Sequence, residues 1–539
     1  MTRFNKPGVR AVGRGPARTT GERTVTYEGA PAYVRDAQTD LVFLALTNMV
    51  GQDTFYESAA NRDDRFRTLV RTVAADDPFW ITGFIAWLRS EAHMRSAALV
   101  AAAETAHTLL VAGVPGARKV IDSALQRADE PGEFLGYWIS AYGKRLPMAV
   151  KRGVGDAAIR LYNERSLLKY DTASHGLRFG DVLELTHPGD AKGSAQHLAG
   201  PWQGDLFRHA IDRRHGRDPI HAPTTLRMIH ANDELRATAK DEPSILLSQD
   251  ALRGAGMTWE DALSLGGQHG LDKRKLWEAM IPSMGYMALL RNLRNFDEAG
   301  ISEESVQFVA RKLMDPDEVA RSRQLPFRFY SAYKEVQSLR WGQVLEVALN
   351  YSALNVPEVR GRSLVLVDLS GSMRETVSGR SKLARQEAGA LFGAILAARG
   401  QDVTLVGFGT GYARVDVPRG ASVLRLTEKI QQANVGGWGT ETYNALVNTY
   451  AGHDQVFVFT DEQSWGPGRV TGWFGNPGDV TRAVPANVPL FAFNLAGYGP
   501  SSLDLSQPNR HAVGGFTDKL FTLVERILAG SGARWPWEE

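Results

Sequence analysis

Cysteine is missing altogether from the 539 residues, which excludes disulfides, thiolate clusters, zinc fingers and cysteine nucleophiles at once and points to a reducing cytoplasm. An excess of either charge is missing too. Lys and Arg number 62 against 60 Asp and Glu, a formal charge of +2, so an anionic partner is neither demanded nor excluded, because a balanced total can hide segregated patches. Nor is there an uninterrupted apolar run of membrane-spanning length. The nearest approach, 97–114, is broken by Glu104 and His107 and is rich in alanine, the pattern of a helix packed among helices, and no membrane contact is expected. The first ten residues carry positive charge with no apolar stretch behind them, so they do not read as a secretory signal. A Walker A loop, a nucleophile elbow, an HExxH helix and a close acid pair of metal-hydrolase type are likewise missing, so no enzyme is expected.

What is present divides into three parts. The chain is too long for one ordinary core. Residues 1–29 mix Arg and Lys with Gly, Pro and Thr without a hydrophobic period, which predicts a basic flexible arm. Residues 30–355 read as helices, for example 41–50, 59–74, 80–88 and 94–110, with few strand signals; many short amphipathic helices predict stacked helix pairs, a helical-repeat (HEAT-like) array. From 360 to 539 strands and helices alternate, with strands expected at 363–367, 402–408, 455–460 and 489–496 and a closing helix near 518–528. That alternation is the signature of a doubly wound α/β domain.

One site stands out. The apolar strand 364–367 delivers Asp368-Leu369-Ser370-Gly371-Ser372 into a glycine turn, and a helix follows at about 382–399. An acid and two hydroxyls at alternate positions then lie at the carboxyl end of a strand, where open α/β sheets place their ligands. A hard divalent cation such as Mg²⁺ takes oxygen ligands and suits this set better than histidine or thiolate would. Two further strand-end loops converge there: Gly436-Gly437-Trp438-Gly439-Thr440-Glu441-Thr442, and the strand 456–460 ending in Asp461. The competing reading of Asp-x-Ser-x-Ser is a turn with helix-capping hydroxyls.

These three loops resemble the von Willebrand factor A domain with its metal-ion-dependent adhesion site. The resemblance implies a cation held by Asp368, Ser370, Ser372, Thr440 and Asp461, with Thr440 preferred to Thr442 because it directly follows the glycines.

The helical part has its own charged stretch. Between Lys144 and Lys240 sixteen basic residues stand against eleven acidic, and seven of the twelve histidines lie between His175 and His230. Lys144, Arg145, Lys151, Arg152, Lys169, Arg178, Arg208, Arg213, Arg214 and Arg217 could line up as a stripe for a phosphate backbone, or form an ordinary solvated face. The histidines lack metal-ligand spacing. Tyr286, Phe329, Tyr330 and Tyr333 are either stacking faces or core.

Residues 277–295, ending in Leu289-Leu290-Arg291-Asn292-Leu293, resemble the TROVE module of the Ro autoantigen family. So do Asp181-Val182-Leu183-Glu184-Leu185-Thr186-His187-Pro188 and Leu325-Pro326-Phe327-Arg328-Phe329. TROVE followed by an A domain is the Ro arrangement. The resemblance implies a monomeric ring of helical repeats, closed by the A domain, that binds small noncoding (Y-like) RNA on an outer basic surface and the single-stranded 3′ ends of misfolded RNA in the ring. RNA quality control follows, with handover to an exoribonuclease such as polynucleotide phosphorylase. By motif position Lys169 and His187 lie on the RNA surface; Arg178 is added on charge and proximity, and helix C-capping is the structural alternative for His187. The alternative function is a protein-binding adhesion or assembly platform in which the cation captures a partner carboxylate.

Overall fold

The computed structural model describes residues 13–538 apart from 48–50, 175, 190–197, 218–223, 337, 355, 357, 378–380, 467–477, 516–520 and 531–533. Polar caps begin many of its helices. Ser58 accepts from Asn61 N at 3.3 Å to start Ala59–Asp76, and Asp77 accepts from Trp80 N at 2.9 Å to start Pro78–Ser90. Asp272, Ser302 and Asp315 do the same further along. The expected helices at 41–50, 59–74, 80–88 and 94–110 are Ala37–Thr47, Ala59–Asp76, Pro78–Ser90 and Arg95–Val111, residues 48–50 lying outside the described residues.

Helices continue to Gly342–Ser352 and pack in succession: Ala59–Asp76 on Arg95–Val111, then Ala117–Ala124, Met148–Leu161, Phe179–Thr186 and Pro201–Arg214. Gly153 permits one close approach, because a Cβ there would meet Arg118 O at 2.8 Å. Glu104 in the alanine-rich helix has no exposed surface and accepts from Arg71 Nε and Tyr137 Oη, each at 2.5 Å. Among the described residues no helix is long and apolar enough to cross a membrane.

Nine strands are described: β1 Thr19–Val25, β2 Pro31–Arg35, β3 Arg362–Asp368, β4 Asp402–Phe408, β5 Tyr412–Val415, β6 Gln455–Thr460, β7 Leu490–Asn494, β8 Pro500–Ser501 and β9 Arg510–Gly514. Six form one sheet in the order β5-β4-β3-β6-β7-β9, parallel except at the β5 edge. Alternate residues of β3 serve two cores. Val365 and Val367 face helix Arg385–Arg399, while Leu364 and Leu366 share a cluster with Ala445 and Leu446 of helix Thr442–Thr449. Burial on both faces is what a continuous apolar run signals.

The expected flexible arm is corrected where it is described. Residues 1–12 lie outside the described residues, but β1 pairs antiparallel with β2, and β2 pairs antiparallel with β8, Tyr33 opposite Ser501. The polar segment β1 is a strand through its hairpin with β2, which is held on its other edge by β8.

Both ends of the helical array are seated on the α/β domain. Ala37–Thr47 packs on β9, where a Cβ on Gly514 would meet Phe43 Cδ1 at 2.7 Å. At the other end Glu346 accepts from Ser422 Oγ at 2.7 Å and Val423 N at 2.9 Å, and Gln431 Nε2 donates to Tyr330 Oη at 2.8 Å. The array and the α/β domain thereby close into a ring.

Candidate functional site

Strand β3, in the middle of the sheet, ends at Asp368. Its Oδ1 accepts from Ser370 N at 2.9 Å and its Oδ2 from Thr460 Oγ1 at 2.7 Å, so the neighbouring strand fixes the carboxyl. Ser370 Oγ and Ser372 Oγ are 3.5 Å apart. Asp461, one residue beyond β6, accepts from Gln463 N at 3.0 Å through Oδ1. The glycine-rich loop joins through Trp438 O, which accepts from Gly371 N, and Thr440 O, which accepts from Trp465 N, both at 2.8 Å. The Thr442 hydroxyl is occupied by Ser464 Oγ at 2.6 Å. Asp368, Ser370, Ser372, Thr440 and Asp461 are all buried, at most 4 % exposed.

Electrostatics at this point are unfavourable for the protein alone. Burial, and then the charge of Asp461, hold the Asp368 carboxyl well above the usual carboxylate range; burial likewise raises Asp461. Asp461 Oδ2 is buried with no hydrogen-bond partner. Among the described residues no cluster of three or more His, Cys, Asp or Glu is present, so any cation here relies on hydroxyls. Two buried acids, the Ser370 and Ser372 hydroxyls and an orphaned carboxylate oxygen fit a hard divalent cation.

The loops also meet residues that the sequence did not flag. Tyr56, before helix Ala59–Asp76, donates to Glu28 Oε1 at 2.7 Å, stacks on Tyr27 with centroids 5.2 Å apart, and has the Ser372 hydroxyl beside its own. Tyr27 N donates to Gln463 Oε1 at 2.9 Å, and Gly466 N to Glu28 O at 3.0 Å. Arg35 pairs with Glu462, whose backbone is left-handed at φ 63°. Trp438 remains 69 % exposed with the Arg374 guanidinium 4.1 Å over its ring. Tyr27, Glu28, Arg35 and Tyr56 all come from the amino-terminal part of the chain, far in sequence from the loops they support.

The proposed RNA residues separate into two kinds. Lys144 and Arg145 are exposed in the turn after helix Glu130–Tyr142, and Lys151 and Arg152 sit at the start of Met148–Leu161. Lys169 is exposed in the last turn of Glu164–Tyr170, its Nζ 5.0 Å over the Tyr170 ring. None of these five has an acidic partner among the described residues. Arg178 differs: its Nη2 is 2.6 Å from Asp171 Oδ2, and Asp171 also receives Phe179 N at 3.0 Å and lies 3.4 Å from Arg213 Nε. Its guanidinium is committed to Asp171, which joins three helices. His187 is the C-cap of Phe179–Thr186, left-handed at φ 48°, with its side chain exposed.

Beside Lys169 lies a cavity of about 690 Å³ also lined by His209, Arg213, Arg217, Asp233 and Glu260. The aromatic candidates resolve mostly to core: Tyr286, Phe329 and Tyr330 are buried, Tyr286 Oη donating to Leu313 O at 2.8 Å, and Tyr333 is half-buried. Leu289, Leu290 and Leu293 are core as well, and Asn292 braces its helix through Ala288 O at 2.8 Å.

A closed helical array carrying an A-type domain with a hydroxyl-rich strand-end site defines the class of protein. Residues 253–375 match the TROVE domain family, and residues 363–463 match the von Willebrand factor type A domain. The segment 253–463 thus carries a TROVE match followed directly by an A-domain match. Among solved structures it is similar to the crystal structure of the Deinococcus radiodurans Ro (RSR) protein, with a TM-score of 0.61 and 20% identity, covering 91% of this chain and 99% of that one. Telomerase protein component 1 is 39% identical over 84 residues in Mus musculus and 38% over 84 residues in Rattus norvegicus, in each case 15% of this chain. The matched segment spans only 3% of the length of those curated relatives.

Proposed function

We propose that this protein is a noncoding-RNA-binding scaffold of RNA quality control or processing. Structured, Y-like RNA sits on the outer cationic surface, and single-stranded 3′ ends of misfolded RNA enter the ring. The observation that carries this reading is the series Lys144, Arg145, Lys151, Arg152 and Lys169: cations on consecutive helical units with no acidic partner among the described residues, next to Arg118, Arg160, Arg178 and Arg214, which are all paired. Unpaired cations are what release counterions when phosphates arrive, so binding falls steeply with salt.

The protein binds RNA without cleaving it on this reading, works in the cytoplasm as a monomeric ring, and passes RNA to an exoribonuclease of the polynucleotide phosphorylase kind. Asp368, Ser370, Ser372, Thr440 and Asp461 would hold a divalent cation, Mg²⁺ by the chemistry of the set, which neutralises the buried acids. The adhesion-platform alternative has less support, because all five side chains are buried.

The test is a filter-binding titration against total RNA from the source organism at two salt concentrations, with sequencing of what is retained. Enrichment of one small structured RNA, weakened by salt and by Lys169→Glu with His187→Ser, supports the reading. Retention indifferent to RNA, salt and these substitutions overturns it.

A further inference from the structure

We infer that the cavity beside Lys169 receives one unpaired guanine nucleotide of the bound RNA. This rests on the RNA-binding reading above and names the part of the RNA that one part of the surface takes. The cavity lies among helices Glu164–Tyr170, Pro201–Arg214 and Arg227–Asp241 and the start of Trp259–Gln268, and its volume of about 690 Å³ accommodates a nucleotide with room for water.

Its lining is of two characters. Lys169, Arg213 and Arg217 supply cations. Arg213 is held in place by Asp171, its Nε 3.4 Å from Oδ2 and its Nη2 donating to the backbone oxygen at 3.3 Å. Asp233 and Glu260 supply exposed carboxylates. Arg236 and Asp261, also in the lining, pair with each other at 3.6 Å, whereas Lys169, Asp233 and Glu260 have no ion-pair partner among the described residues. His209 of the lining is buried with Nδ1 unpartnered, and burial, then Arg213, lower its pKa.

A ligand matching this lining is anionic at one end and rich in hydrogen-bond donors at the other. An RNA nucleotide has the phosphate for Lys169 and Arg217. Among the bases, guanine alone offers two parallel donors, N1–H and the N2 amino group, which a carboxylate accepts as a pair. Adenine and cytosine set a single amino donor beside an acceptor, and uracil sets one N3–H between two. A base must be unpaired to offer that edge, as bases in RNA loops and bulges are.

The experiment is calorimetric titration of the full chain at low salt with guanosine monophosphate, uridine monophosphate and inorganic phosphate. The expected result is one site for the guanine nucleotide, with the uridine nucleotide and phosphate weaker by about tenfold or more, the worth of one good bidentate base contact. Lys169→Glu should weaken both nucleotides. Asp233→Asn with Glu260→Gln should bring the guanine nucleotide down to the level of the uridine one while leaving the latter unchanged. Phosphate binding as tightly as the guanine nucleotide, a preference that survives the double substitution, or no heat at millimolar nucleotide would each overturn the inference. The filter assay separates this from the parent reading: RNA retained by the double variant and lost by Lys169→Glu leaves the scaffold function standing whatever the cavity does.

Discussion

Arg35, the last residue of β2, and Glu462, directly after Asp461, form an ion pair in which neither side chain has exposed surface. Each partner has further bonds. Arg35 Nη1 donates to Tyr498 O at 2.5 Å and its guanidinium lies 4.5 Å over Phe43, while Glu462 accepts from Asn494 Nδ2 at 2.6 Å and from Ser502 N and Oγ at 3.2 and 3.0 Å. Removing one member strands the other. Arg35→Ala should lower unfolding stability by about 3–5 kcal/mol in denaturant titration, whereas Arg35→Met combined with Glu462→Gln should cost clearly less. Equal losses would show that the pair is not what holds this junction.

Addition of Mg²⁺ should raise the melting temperature of the purified, chelator-treated protein. A ligand at a hundred times its Kd adds about 2.7 kcal/mol to a folded state that alone binds it. Asp461→Asn and Asp368→Asn should each remove that increment. An unchanged increment in both variants would place the cation elsewhere.

Lys151→Glu with Arg152→Glu, on exposed and half-buried side chains, should leave stability within about 0.5 kcal/mol and weaken RNA retention, flattening its salt dependence. Arg178→Ala should behave in the opposite way, lowering the melting temperature because it leaves Asp171 buried with only Arg213 opposite. Comparing melting curves with filter binding for the two variants separates a contact surface from a structural brace.

His511 in β9 is buried, stacks on Phe491 with centroids 4.8 Å apart, and has Nε2 unpartnered; burial and the adjacent Arg510 lower its pKa to about 4. With an unfolded value near 6.5, the unfolded chain binds the extra proton first as pH falls. Its contribution is therefore complete above pH 6.5 and is lost progressively toward pH 4, reaching about 3 kcal/mol. His511→Phe should flatten stability against pH across that window; an unaltered slope would assign the acid sensitivity to other groups.

The cation-site loop was legible because its information is local. A strand buried on both faces is a continuous apolar run, and the acid and hydroxyls sit within five residues of its end. The expected strands at 363–367, 402–408, 455–460 and 489–496 correspond to β3, β4, β6 and β7, and the described part of the closing helix is Phe521–Leu528. Strand β9 was not legible, since it buries Arg510 and His511. The guanidinium is satisfied by the carbonyls of Thr481, Val484, Val488 and Asn509 at 2.6 to 3.1 Å, and no hydrophobic pattern announces such a cradle. Strand β1 escaped for a related reason, because it is polar and the β2 strand it pairs with is anchored by β8, far away in sequence. Arg178 looked like a free cation because its acid partner reaches it only through a turn, and the cavity lining of His209, Asp233 and Glu260 comes from three helices with no common motif.

The pairing of β2 with β8, and of Gly13 N with Ile527 O at 2.9 Å, also sets an order of events. A chain that emerges from the ribosome amino end first makes residues 13–35 early, yet β8 and Ile527, the partners of β2 and Gly13, are made only after the whole helical array. Successive helices can pack on their neighbours as they appear, but the opening hairpin must wait for the α/β domain. Contacts this distant in sequence are slow to form, so the helical array is born open and becomes a ring as a late step of folding.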